Sequence, residues 1–80
     1  MDINIVYNTI AEKLKASNYT EVFTELESSL AGAATGSEAL TASASYLLSL
    51  KYKNPEAYIM IKDLIKDYLK YCKDNGLIIK

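Results

Sequence analysis

Apolar residues recur near the start of the chain at Ile3, Val6, Tyr7, Ile10, Ala11 and Leu14. Steps of three and four bring all six onto one stripe of an α-helix, so the spacing predicts a helix over 2–16. In "SNYTE", Asn18 precedes Glu21 by three residues, the spacing of a capping box that opens a second helix over 19–31. That helix turns Tyr19, Val22, Phe23, Leu26 and Leu30 inward, and Gly32 is expected to end it in the left-handed conformation that glycine adopts freely. Thr35 and Glu38 repeat the capping-box spacing and begin a third helix over 36–52. Asn54 followed by Pro55 is a further helix start, because proline at the first helical position forfeits no hydrogen bond.

The fourth helix is expected over 55–75, closing at "DNG" with Leu77 or Ile78 folded back on its last turn. Turned by about 100° per residue, it carries Ala57, Tyr58, Met60, Ile61, Leu64, Ile65, Tyr68, Leu69, Tyr71 and Cys72 on one half of its cylinder. Connections of two to four residues make sequential helices antiparallel neighbours. The predicted fold is therefore all-α, a compact up-down four-helix bundle with short loops, and residues 1–80 form one domain.

Composition narrows the class of function. One cysteine, Cys72, leaves no internal disulfide, and a chain without histidine lacks the usual soft metal-ligand sets. With no signal-like or membrane-length apolar segment, a reducing, cytoplasmic setting is expected, with no membrane partner and no cofactor. Nine lysines and ten acids give a net charge of −1, which offers no general attraction to nucleic acid. The charges are uneven: residues 1–40 hold six acids and two lysines, residues 41–80 four acids and seven lysines. Lys62, Lys66, Lys70 and Lys73 form a stripe on the last helix. A parallel row of Glu56, Asp63, Asp67 and Asp74 offsets it, so a solvated face is the first reading and weak nucleic-acid binding the alternative.

Catalytic material is thin. There is no His or Arg, Asp63 and Asp67 have ordinary surface spacing, and Cys72 lies on an apolar face without a cation aimed at it. The segment "LAGAATGSEALTASAS" carries two glycines but lacks the lysine of a phosphate-binding loop. As a DNA-reading helix-turn-helix it lacks side chains that reach base edges. An enzyme is not expected.

From Ala39 to Leu50 no residue is charged, although the outer face of a small helical protein normally carries charge. Ala39, Leu40, Ser43, Tyr46, Leu47 and Leu50 are expected to face the other helices. Thr41, Ala42, Ser45, Leu48, Ser49 and Tyr52 then form an uncharged outer arc, with small residues where another helix can approach closely. Three explanations stay open: coverage by the chain's own helices, a face kept solvated by its Ser and Thr residues alone, or docking of a protein partner or of a second copy. The expected function is a small non-enzymatic protein-protein interaction or regulatory module. Alternatives are the weak nucleic-acid binder already named and a bacterial immunity-type bundle protein. No motif in the chain points to a particular family.

Overall fold

In the computed structural model, which describes residues 2–77 and 79, the chain forms five helices: α1 (Ile3–Ala16), α2 (Thr20–Ala31), α3 (Gly36–Lys53), α4 (Pro55–Met60) and α5 (Lys62–Asp74). No strand occurs among the described residues. The helix expected over 55–75 is divided at Ile61, whose backbone leaves the helical region at φ −114°, ψ 17°. Its amide is shared between the carbonyls of Ala57 (3.3 Å) and Tyr58 (3.2 Å), a local tightening of the helical ladder. No Pro or Gly lies at the break. Ala57, Ile61, Ile65, Tyr68 and Cys72 nevertheless remain buried across it, so the bend re-aims the helix without losing its apolar stripe.

Two of the expected helix signals operate as predicted. The Thr35 hydroxyl accepts the Glu38 amide at 3.1 Å, and the Glu38 carboxylate reaches back to the Ala34 amide at 3.0 Å. Asn54 accepts the Ala57 amide at 3.2 Å, with Pro55 at the first helical position. Asn18 departs from expectation: it sits at φ +64° and caps nothing. Instead it ends α1, with the Asn18 amide on Lys15 O (3.2 Å) and the Tyr19 amide on Leu14 O (2.8 Å). This double bond pattern needs one left-handed residue, and asparagine tolerates that conformation better than most. An N-cap needs extended backbone, so Asn18 cannot serve both ends, and Tyr19 opens α2 without a side-chain cap.

Gly32 also corrects the prediction. It closes α2 at φ −84°, in the ordinary right-handed region, and no atom lies within 4 Å of where a Cβ would stand at Gly32 or Gly36. Neither glycine is there to avoid a clash; Thr35 and Glu38 shape the corner through their bonds to the Glu38 and Ala34 amides. Gly76, at φ +77°, does require its glycine. Its amide bonds Lys73 O (3.0 Å) and that of Leu77 bonds Cys72 O (3.0 Å), while Leu77 packs on the core. Ile78, the other residue expected to cover this turn, lies outside the described residues.

α2, α4 and α5 all pack against α3, while α1 packs against α2 and α5. The core between them comprises Val6, Ile10 and Leu14 of α1, Val22 and Leu26 of α2, Ala44, Leu47 and Leu50 of α3, and Ala57, Ile61, Ile65, Tyr68 and Cys72 beyond. The Cα radius of gyration, 11.5 Å, matches the roughly 12 Å of a close-packed chain of this length.

Candidate functional site

α3 is flanked on both sides by its own neighbours, which accounts for part of its missing charge. Tyr46, on the α2 side, donates its hydroxyl to Glu25 Oε1 at 2.7 Å, and the Lys53 ammonium lies 5.5 Å from the Tyr46 ring centre. On the α5 side, Ser43 is buried in the core and faces Tyr68. Ser43 Oγ lies 2.7 Å from Ala39 O, 3.1 Å from Leu40 O and 2.6 Å from Tyr68 Oη. Carbonyls only accept, so the serine proton points to them and Tyr68 donates to Ser43. Burial drives the Tyr68 phenol up from its usual range. Ala44, which the sequence pattern did not single out, is also fully buried.

Between these flanks runs the outer arc. Thr41, Ala42, Ser45, Leu48 and Ser49 are half-buried, while Tyr52 is 83% exposed. Two shallow depressions lie along it, one lined by Ser37, Glu38, Thr41 and Ala42, the other by Ser45, Leu48, Ser49, Lys51 and Tyr52. All six residues expected from the sequence fall in this trough. Ser37, Glu38 and Lys51, which were not expected, supply its ends. Thr41 Oγ1 donates to Ser37 O (2.9 Å) and Ser49 Oγ to Tyr46 O (2.6 Å). These hydroxyls are satisfied by their own helix, so covering the trough strands neither proton. Leu48 also borders a second, largely apolar depression with Leu69, Leu77 and Ile79, and Lys73 brings a charge to its lining on the α5 side.

The remaining chemistry is structural. Tyr7 donates to Glu27 Oε2 at 2.8 Å and Tyr19 to Glu56 Oε2 at 3.4 Å; with Tyr46 and Glu25 they stitch neighbouring elements together at the surface. Burial, then the hydrogen-bonded carboxylate, raises the Tyr7 and Tyr46 phenols far above their usual range. Cys72 is fully buried, with Sγ 4.0 Å from Leu40 O, and burial pushes its thiol up, away from the thiolate that a nucleophile or metal ligand needs. Among the described residues no three Cys, Asp or Glu side chains gather where they could hold a metal ion, and no helix is long and apolar enough to cross a membrane. A cleft between the ends of α1, α2 and α3 is lined by Ile3, Tyr7, Leu30, Gly36, Leu40 and Tyr68, among others. Its phenols are already committed to Glu27 and Ser43.

No family model, curated protein or solved structure matches this chain. The reading of its function therefore rests on the surface itself.

Proposed function

We propose that this chain is a non-enzymatic protein-docking module and that the outer trough of α3 is its docking surface. One observation carries this reading: a half-buried strip on which the Thr41 and Ser49 hydroxyls, on either side of Ser45, bond their own backbone, with charge confined to the two ends. Removing such a strip from water leaves few groups unpaired, which is what the centre of a protein interface requires. Tyr52, an exposed aromatic at one end, is a residue type that contributes strongly to interfaces. The contacts of α3 with α2, α4 and α5, and of α1 with α2 and α5, are consistent with an up-down bundle in which α4 and α5 together act as the fourth member. A reducing, cytoplasmic setting suits the single buried thiol.

The test is site-specific photo-crosslinking in cells, with benzoylphenylalanine in place of Tyr52 and, as a control, in place of Lys66 on the exposed face of α5. Discrete protein adducts from position 52 that are absent from position 66 are expected. No adducts from position 52, or the same adducts from both, would contradict docking through α3.

A further inference from the structure

If the trough is a docking surface, its own pattern specifies a partner. Ser45 stands at its centre. Glu38 lies seven residues before Ser45 and Tyr52 seven after, Thr41 four before and Ser49 four after, Ala42 three before and Leu48 three after. On a helix these offsets form a seam of the kind that two α-helices share when they pack along their length. The trough is also polar in the electrical sense. Its N-terminal end carries Glu38 and its C-terminal end Lys51, while Lys53 is turned aside over Tyr46.

Resting on that docking reading, we propose that the occupant of the trough is a second copy of this chain, its α3 crossing antiparallel with the two-fold axis at Ser45. The crossing brings the acidic end of each copy level with the basic end of the other and aligns the two helix dipoles favourably. Leu48 of each copy comes level with Ala42 of the other, large beside small, and Thr41 level with Ser49. Tyr52 of each copy comes level with Glu38 of the other. Glu38 uses Oε2 on the Ala34 amide, which leaves Oε1 to accept a phenol. The molecule already joins its elements in this way at Tyr7–Glu27 and Tyr46–Glu25; Tyr52, standing in solvent at 83% exposure, is free to form the same bond between copies.

The experiment is sedimentation equilibrium on the 80-residue chain and its variants, with helicity followed by circular dichroism. The chain is expected to sediment at twice its 8.9 kDa mass. Ser45→Glu sets two like charges on the axis and is expected to weaken the dimer by about a hundredfold or more with helicity kept. Tyr52→Phe removes only a hydroxyl from an exposed ring and, because symmetry counts each bond twice, is expected to weaken it about tenfold. It gives a second readout that does not depend on placing charge on the strip. A chain that stays monomeric to about 1 mM, or a dimer indifferent to both changes, would overturn the proposal. If position 52 crosslinks in cells only to other proteins while the pure chain is monomeric, the docking reading stands and self-association falls; if it crosslinks to nothing, both fall.

Discussion

α3 and α5 both lie across the core, yet their sequences divide in opposite ways. α5 alternates sharply: Ile65, Tyr68 and Cys72 are buried while Lys62, Asp63, Lys66, Asp67 and Lys70 stand in water. α3 shows no such division between Ala39 and Leu50, because α2 and α5 close on its two flanks and the strip left between them is small and neutral. A helix with one wet face advertises its orientation in its charges. A helix gripped on several sides does not, and whatever charge is absent from its remaining strip then becomes informative.

The sharpest way to break this contrast is to truncate side chains on either side of α3. Leu47→Ala opens a cavity in the core, where Leu47 is fully buried, and is expected to cost about 3 kcal/mol. Leu48→Ala, one residue on but in the half-buried trough, is expected to cost under about 1 kcal/mol in the monomer. Urea unfolding of both variants measures the difference; equal losses would mean that the trough is core.

The α3–α5 junction is sharpened by pH. The folded chain holds the Tyr68, Tyr7 and Tyr46 phenols and the Cys72 thiol above their ordinary pKa values, chiefly through burial. Below about pH 8.5 both folded and unfolded chains keep these protons. As pH rises, the unfolded chain loses them first: Cys72 near its ordinary value and the phenols near pH 10. Stability is therefore expected to be flat to about pH 8 and then to fall, by up to about 1.4 kcal/mol per pH unit for each group in play. Tyr68→Phe lowers stability at neutral pH by about 1 kcal/mol, through its lost bond to Ser43, and makes the alkaline fall shallower. Urea midpoints at pH 7, 9 and 11 check both.

The glycines give the smallest effects and opposite signs. Gly76→Ala forces a Cβ onto a left-handed residue and is expected to lose about 1 kcal/mol. Gly32→Ala meets open space at an ordinary backbone angle and is expected to gain about 0.5 kcal/mol. Thermal melts of the two variants distinguish a glycine that shapes the chain from one that merely tolerates its place.

Local chemistry was legible in the sequence. Thr35 with Glu38 and Asn54 with Pro55 satisfy helix ends through atoms a few residues away, so spacing alone identified them. Asn18 was misread because the same residue type suits both a helix start and a left-handed helix end, and the choice depends on how α1 turns into α2. The break at Ile61 has no Pro or Gly to announce it, and the apolar stripe runs through it unbroken, so neither punctuation nor periodicity marks it. Ala44 was missed because an uncharged helix gives periodicity no phase to lock onto. The trough residues from Thr41 to Tyr52 could be found by elimination as the arc opposite the predicted core. Glu38 is hidden in that arc because its three-residue spacing from Thr35 already serves a cap, although its seven-residue spacing from Ser45 also stands in the sequence.

The central claim is that the strip along Ser45 and Ser49 is neutral for the sake of a docking partner rather than for the fold. Placing charge on it tests this most directly: the Ser45→Glu, Ser49→Glu double variant, followed by sedimentation and thermal melting of one sample. A folded monomer is expected, with a melting temperature close to that of the parent chain after dilution to monomer. Loss of helicity or of the cooperative melt would contradict it, because the strip would then belong to the core.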